Sequence, residues 1–586
     1  MSTMPRGRAR IVLCGFVFVL LTAGMTESAQ AATRPREPNV GVVVRVASGE
    51  SASAIALVRS FGGHVGRPLP LIDGFSAVIP ASALPQLVAT PTVHVTPDGP
   101  VRLMSDKYDA NHDDGSLFNL ERGIGARAMW KQQWTGRGVD VAVVDSGVAP
   151  VAGLSGPGKV MNGPDLTEES QSSSTGYLDT FGHGTQMAAI IAGADAGVNP
   201  PADEGNHTKF MGVAPAAGIV SVKVANARGL TDVSQVLAGI DWVVQHAHDP
   251  GMNIRVLNLS FGTASTQDYL IDPLSFAAEQ AWRRGIVVVA SAGNTGTSKG
   301  RLSDPAINPF IIAVGTNDTR GTEDAKDDRV ASFSARGDGT RNPDLLAPGM
   351  HVQSLRVGGT YIDDTFSSTG SINSRFFRGS GTSQSAAVVS GAAALLIEQH
   401  PDYSPDQIKS LLVSTATRLK GAPATAQGNG VINLRAASKL QAVDLAQSFD
   451  RATGGGSLDG SRGGMNQVLR GTPLSGDQDI FGRSVDTAAL AATEASGASW
   501  SGGDWNGSSW AGSSWSDHSW SSCAWSGSDW SGSSWSSDRW SSGSWTGSSW
   551  SDSSWTGSSW SGSEWHGSSW SDSSLSDGVW ATDSWS

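Results

Sequence analysis

Three side chains able to carry nucleophilic and acid-base chemistry stand in this 586-residue chain, each framed by small residues at the lip of an apolar run. They are Asp145 in Val-Ala-Val-Val-Asp145-Ser-Gly, His183 in Gly-His183-Gly-Thr and Ser383 in Gly-Ser-Gly-Thr-Ser383-Gln-Ser. A serine hydroxyl is a poor nucleophile at neutral pH and needs a base to take its proton. Histidine is the side chain that titrates nearest neutrality, and a carboxylate behind it would fix its tautomer and steady its charged form. Taken singly, each residue has an ordinary use: the aspartate as a turn former, the histidine as a turn residue, the serine as a helix cap. Taken together, three glycine-framed motifs each joined to a fitting element favour a serine-histidine-aspartate relay.

The elements that must position them alternate apolar strands with helical stretches, which argues for a parallel sheet covered on both faces. Val139 to Val144 reads as a buried strand whose carboxyl end delivers Asp145, where open α/β sheets place their sites. His183 leads into a small, apolar helix from Gln186 to Ala192. Further strands are expected at Ile219 to Val224, Arg255 to Leu259 and Ile286 to Ala290. Ser383 opens the apolar stretch Ala386 to Ile397, so it should sit at a helix amino terminus, where exposed amides and the helix dipole favour developing negative charge.

The order Asp145, His183, Ser383 and the wording of the motifs resemble the subtilisin-like serine proteases, with Asp145 as acid, His183 as base and Ser383 as nucleophile. That resemblance implies a three-layer α/β fold, a parallel sheet between helices, and hydrolysis of peptide bonds through an acyl-enzyme intermediate. It also implies an oxyanion hole from the side chain of Asn294, in Val-Val-Val-Ala-Ser-Ala-Gly-Asn294, and the backbone amide of Ser383. An αL turn residue before Gly296 is the plainer use of that asparagine. Leu257-Asn-Leu-Ser260-Phe261-Gly262 resembles the edge on which a substrate lies as an added strand. Ala290-Ser291-Ala292-Gly293 resembles a wall of the first specificity pocket. Gly212-Val-Ala-Pro215 and Pro343-Asp-Leu-Leu-Ala-Pro-Gly349 resemble structural signatures of the same fold. The family proline four residues after the nucleophile is replaced here by Ala387, and a small effect is expected. The polar stretch Thr360 to Arg378 reads as an insertion at the rim of the site. The expected peptidase unit runs from residue 120 to 440.

Bulk properties agree with a large enzyme unit plus extensions. A net charge of -13 disfavours nucleic acid and anionic membrane as partners. Phosphate-binding glycine motifs and zinc-spaced Cys/His clusters are absent from the sequence, so no cofactor is expected to be required. Calcium often binds in the family, yet the acids Glu323, Asp324, Asp327, Asp328, Asp363 and Asp364 form no recognisable loop, and any metal ligands stay unassigned. Arg6, Arg8 and Arg10, the apolar run Ile11 to Gly24 and the small residues Ala29-Gln-Ala31 give residues 1–31 the pattern of a secretory signal. Export would leave Cys523 as the single cysteine, which excludes an intramolecular disulfide.

Residues 38–104 change rhythm. Strands at Gly41 to Val46, Gly74 to Ile79 and Thr92 to Thr96, with helices at Ala52 to Phe61 and Ala83 to Ala89, predict a small α+β domain of ferredoxin-like type. Ile72-Asp-Gly-Phe-Ser-Ala-Val, Leu84 to Leu87 and Pro91-Thr-Val resemble the inhibitory propeptide of the same family, which implies a zymogen with its own propeptide as inhibitor. An independent binding module would carry the same pattern.

Residues 441–499 read as a Gly, Ser and Thr-rich linker with a short helix candidate at Thr487 to Glu494. From Trp500 onward tryptophan recurs every five residues, with 17 of the 21 tryptophans set in Ser, Gly and Asp across residues 500–586. A five-residue step builds no single apolar face on a helix or a strand, so this low-complexity tail is expected to be disordered or a loose chain of turns. Evenly spaced indoles suit multivalent stacking on cell-wall polysaccharide. Two functions therefore stand at this point. One is a secreted serine endopeptidase acting on protein or peptide substrates. The other is a cell-surface adhesion or interaction protein whose protease only processes itself.

Overall fold

The structure, a computed structural model, describes residues 39–47, 50–98, 108–442, 446–469 and 472–510, with two-residue strand segments at 525–526, 534–535, 561–562 and 565–566. The expected signal at residues 1–31 and most of the tail beyond residue 510 lie outside the described residues. The chain divides into two compact units, residues 1–105 and 106–586.

The first unit is a four-stranded antiparallel sheet with two helices. Its elements are β1 (Asn39–Val46), α1 (Ser51–Ser60), β2 (His64–Leu69), β3 (Gly74–Pro80), α2 (Leu84–Val88) and β4 (Val93–Pro97). The strand order β2-β3-β1-β4 is the ferredoxin-like arrangement expected from the sequence. Alternation decides which face is buried: Val42, Val44 and Val46 of β1 and Phe75, Ala77 and Ile79 of β3 pack with Ala54, Val58 and Leu87. β2 was not legible in the sequence. His64-Val-Gly-Arg-Pro-Leu lacks an apolar alternation, and it pairs at the edge of the sheet with an irregularity between Val65 and Pro68, where proline is tolerated.

The second unit opens with α3 (Leu117–Ile124) and α4 (Ala126–Trp130). Its main sheet has the order β11-β10-β9-β8-β5-β7-β6, with β12 paired to β10. These strands are β5 (Asp140–Asp145), β6 (Val160–Asp165), β7 (Gly218–Lys223), β8 (Ile254–Leu259), β9 (Val287–Ser291), β10 (Ile312–Asp318), β11 (Arg329–Val330) and β12 (Leu345–Pro348). All pair in parallel except β10 with β11. β5 lies centrally, its Val141 to Val144 buried on both faces, which is why it reads as a continuous apolar run. The helices are α5 (His183–Ala192), α6 (Val233–His246), α7 (Pro273–Arg283) and, after β13 (Val352–Leu355), α8 (Tyr361–Gly370). β14 (Phe376–Ser380) then leads into α9 (Thr382–Gln399), followed by α10 (Pro405–Ser414), α11 (Ala424–Gln427) and α12 (Leu434–Ala437). This is the three-layer α/β arrangement expected. The stretch read as a polar insertion forms α8 and β14, and the amides of Tyr361 and Ile362 donate to Thr180 O and Phe181 O, just ahead of His183. Among the described residues no helix is long and apolar enough to cross a membrane.

The expected boundary at residue 440 and the linker at 441–499 need correction. α13 (Leu458–Arg462), β15 (Asn466–Leu469), β16 (Thr472–Pro473) and α14 (Thr487–Ser496) continue the same unit. Leu458, Ile480, Phe481, Val485 and Leu490 join the main core. The composition misled because these apolar residues are few and aperiodic, so neither strand nor helix spacing announced them. Gln267 amide groups bond Ser457 O and the Ser457 amide, and Thr263 Oγ1 donates to Ser461 O. Arg462, fully buried, donates to both oxygens of the equally buried Asp232 at 2.7 and 3.2 Å and to Gly476 O and Gln478 O.

The first pentads of the tail are also ordered, contrary to expectation. β17 (Trp500–Ser501), β18 (Asp504–Trp505) and β19 (Ser508–Ser509) form an antiparallel meander. Its turns, Gly502-Gly503 and Asn506-Gly507, hold positive φ at all four residues, the I′ geometry that matches strand twist. Trp505 is fully buried and donates to Asp241 Oδ2 at 2.7 Å, while Trp500 donates to Ala238 O at 2.8 Å. These indoles face the body of the unit, where they serve packing.

Arg462→Ala leaves Asp232 buried without its countercharge and should cost about 3–5 kcal/mol. Denaturant unfolding checks this: a midpoint unchanged from wild type would show that the Arg462–Asp232 pair contributes no stability to this unit.

Candidate active site

Asp145 ends β5 and His183 begins α5, so the parallel sheet and the helix following β6 bring the two side chains together. His183 Nδ1 lies 2.8 and 2.9 Å from the two Asp145 oxygens. Both residues are buried. Because the carboxylate can only accept, Nδ1 carries the proton, which assigns Nε2 as the lone-pair nitrogen of the neutral ring. Asp145 Oδ1 also accepts from the Ser146 amide at 2.8 Å. Burial pushes the imidazole pKa down, but the charge and hydrogen bond of Asp145 and the charge of Asp179 push it up, and the upward effects prevail.

Ser383, at the second position of α9, is completely buried. Its hydroxyl donates to Ser260 O at 2.9 Å, and Ser260 Oγ donates to Ser383 O at 3.1 Å. Asn258 Nδ2 donates to Ser260 Oγ and accepts through Oδ1 from Ser390 Oγ, so the end of β8 is stitched to α9. Phe261 and Gly262 continue this edge. Phe261 O accepts from Ser291 Oγ at 3.1 Å, joining the edge to the segment Ala290 to Gly293. Ala290 pairs with Leu259 across β8 and β9, Ala292 N donates to Val314 O, and Gly293 N donates to Thr382 Oγ1. Gly293 has φ +109°, and a Cβ there would collide with Ser303.

Asn294 is held by its oxygen. Oδ1 accepts from the backbone amide and the hydroxyl of Thr382, both at 2.9 Å. A backbone amide can only donate, so the amide orientation is fixed. Nδ2 is therefore the other end, buried and without a hydrogen-bond partner among the described residues.

The structure thus places the expected residues in two linked groups: Asp145 with His183, and Ser383 with Ser260, Phe261, Ser291, Gly293 and Asn294 through Thr382. Three participants were missed in the sequence. Ser146 and Thr185 stand inside the motifs themselves, and Asp179 stands four residues before His183. Asp179 Oδ1 accepts from Ser146 Oγ at 2.8 Å and Gly182 N at 2.6 Å, and Oδ2 accepts from Thr185 N at 2.8 Å and Thr185 Oγ1 at 2.6 Å. The signal available was the helix start: Gly182 caps α5 with no side chain, so some other group must accept from its amides. The acids considered for calcium have other uses. Asp363 pairs with Arg356, and Asp328, raised to about 7 by burial and then Asp327, accepts from Asn317. Among the described residues no group of three or more His, Cys, Asp or Glu side chains is arranged to hold a metal ion.

The subtilase family profile matches residues 136–430, half of the chain and the whole of this site. The chain belongs to the subtilase family. It is 35% identical to serine protease AprX of Bacillus subtilis over 308 residues, 52% of this chain and 66% of that protein. It is 29% identical to subtilisin E of the same organism over 440 residues, 73% and 98% of the two chains. Subtilisin Savinase of Lederbergia lenta is 33% identical over 318 residues, 54% and 96%. The protein is a subtilisin-like serine endopeptidase.

A folded pKa above the unfolded one means that protonation of His183 stabilises the fold below about pH 6.5, an advantage lost as pH rises through the folded value. The low-field proton resonance of His183 Nδ1–H should accordingly titrate with a midpoint above 6.5. A midpoint below it would mean that burial outweighs the two carboxylates.

Proposed function

We propose that this subtilase is exported as a zymogen and cleaves internal peptide bonds through Asp145, His183, Ser383 and Asn294. Residues 1–31 serve as the export signal and residues 38–104 as an inhibitory propeptide. The observation that carries the reading is the partnerless amide Nδ2 of Asn294, a residue tied through its Oδ1 to Thr382, the neighbour of Ser383 in sequence. A buried donor left unsatisfied costs about 1–3 kcal/mol, a cost that a developing oxyanion would remove. The ferredoxin-like topology of residues 39–97 supports the propeptide, as does the 440-residue span of the likeness to subtilisin E, longer than the peptidase region itself. The secreted habit of the family and the amino-terminal charge pattern support export.

In this mechanism the peptide lies along Ser260 to Gly262 as an added strand, its side chain entering the space bounded by Ala290 to Gly293. The Ser383 hydroxyl turns from Ser260 O to Nε2 of His183, which takes the proton as Oγ bonds the carbonyl carbon. Asp145 holds the imidazolium that forms. Asn294 Nδ2 and the Ser383 amide at the start of α9 meet the oxyanion. His183 then returns the proton to the leaving amine, and water repeats the sequence on the acyl-enzyme. Helix α8, packed against Thr180 to Gly182, borders the same cleft and bears on which peptides enter it.

Secreting wild-type and Ser383→Ala chains and treating both with a fluorophosphonate probe tests the assignment. Labelling and release of residues 38–104 should be confined to wild type; a folded wild-type chain that takes no label would overturn it. Asn294→Leu should lower kcat by about 10² to 10³ with little change in KM, the loss established for the oxyanion asparagine of subtilisin itself. A loss appearing only in KM would instead mark Asn294 as a ground-state contact.

A further inference from the structure

We propose that Asp179 is a positioning residue for the catalytic pair, holding Asp145 and His183 in register from behind. The inference rests on the triad assignment above and extends it by one residue. Among the described residues, every hydrogen bond that Asp179 makes goes to a group flanking that pair. Gly182 N and Thr185 N lie on either side of His183 at the start of α5. Ser146 follows Asp145, and its hydroxyl, while donating to Asp179, accepts from Gly184 N at 2.9 Å. Thr185 Oγ1 also accepts from Ala149 N at 2.9 Å, which ties the loop after β5 into the same set. One carboxylate thus fixes the backbone carrying the base relative to the backbone carrying the acid.

The donors dictate the residue type. Each oxygen of Asp179 faces one backbone N–H that cannot turn away, plus one hydroxyl. An asparagine in its place would put its NH2 against a backbone donor in either orientation, so only a group with two acceptor oxygens satisfies the site. With donors on both oxygens, the ionised form fits the contacts. Burial raises its pKa, while Thr185, Gly182 and Ser146 oppose that rise by bonding the charged form. The second effect is electrostatic. The charges of Asp145 and Asp179 both favour the protonated form of His183. Asp179 therefore lends negative potential to the ring at the moment it becomes cationic, without touching substrate.

The test compares mature wild type, Asp179→Asn, Thr185→Val and Ser146→Ala by the pH dependence of kcat/KM, by kcat and KM separately, and by thermal unfolding. Asp179→Asn should lower kcat on the order of ten- to a hundredfold with KM little changed. It should also move the acid limb of kcat/KM to lower pH by about half a unit or more, because a charge that favoured the imidazolium is gone. Thr185→Val and Ser146→Ala keep that charge, so kcat should fall severalfold with the acid limb in place. A purely structural Asp179 would lower Tm in all three and shift no limb. An Asp179→Asn enzyme with wild-type kcat and acid limb overturns the proposal. Should that variant fail to fold, unchanged kcat in both Thr185→Val and Ser146→Ala would overturn it equally. Fluorophosphonate labelling of wild type but not of Ser383→Ala or His183→Ala separates the two assignments: if it holds while Asp179→Asn behaves as wild type, only the role of Asp179 is lost.

Discussion

Burying an imidazole against a carboxylate is the constraint from which much of this architecture follows. A charged group removed from water is costly unless donors or countercharges replace its hydration. The Asp145 oxygens meet His183 Nδ1 and the Ser146 amide, donors that stand in for lost hydration. Those donors are available because β5 ends there: beyond the last sheet pairing, the backbone amides of the following loop turn to the side chain. The carboxyl edge of a central parallel strand is thus a place where apolar walls and surplus amide donors coexist. His183 arrives from the start of α5, where unsatisfied helix amides need an acceptor, and Asp179 supplies it. The same carboxylate that completes the helix end reinforces the field at the ring, so local structure and electrostatics are satisfied by one residue.

The half of the site around Ser383 obeys a geometric rule rather than an electrostatic one. Ser383 must stand at the start of a helix whose remaining turns lie against the sheet, and α9 is buried from Thr382 to Ile397. Its Ala, Ser and Gly content permits that approach. Gly349 takes it furthest: a Cβ there would strike Ser385 Oγ and Gly381 O, while Gly349 O accepts from the Gly381 amide at 2.8 Å. Two serines on the buried face bond sheet residues, Ser385 through Ala347 O and Thr316 and Ser390 through Asn258. Ala387, where the family carries proline, is fully buried within the run of α9. Packing on every side holds the start of this helix.

The legible parts of the sequence were those where one periodicity or one spacing carried the information. Val141 to Val144 and Val287 to Ala290 are unbroken apolar runs, and Ile219 to Val222 is interrupted only by Ser221, because both faces of their strands are covered. Asp145, His183 and Ser383 were visible because glycine must frame tight element ends. Asn294 was legible only through likeness of motif; what fixes its amide is Thr382, which stands inside the serine motif but nowhere near Asn294 in sequence. β6, Val-Met-Asn-Gly-Pro-Asp, was missed because it lies at the sheet edge and is only partly buried. Asp179 was missed for a different reason. Its partners are backbone amides and two hydroxyls, groups that nearly every residue or motif supplies, so nothing in composition or period marks them.

The carboxyl-terminal region shows where composition misleads about folding. A buried indole contributes about 4–6 kcal/mol through 150–250 Å² of area, and ordering a residue costs about 1–2 kcal/mol, so one tryptophan per five residues sits near balance. Such a pentad has no margin to fold as an isolated strand or helix. It gains one when a prebuilt surface receives the indole and an acceptor meets its N–H. Both conditions hold at Trp500 and Trp505, where α6 presents Ala238 O and the Asp241 carboxylate. Ser and Gly between the indoles then make structural sense, because I′ turns require positive φ at consecutive residues and two-residue strands leave no room for bulk. Arg462 plays the corresponding part in the preceding segment, spanning Asp232 at the head of α6 and the carbonyls of Gly476 and Gln478. One helix of the catalytic unit therefore organises the chain from residue 458 to 510: its first residue's cap is held by Arg462, its middle receives two indoles, and Gln245 near its end bonds the Trp500 backbone. Order in this region is set by α6, whose surface was already required to cover the sheet that carries Asp145.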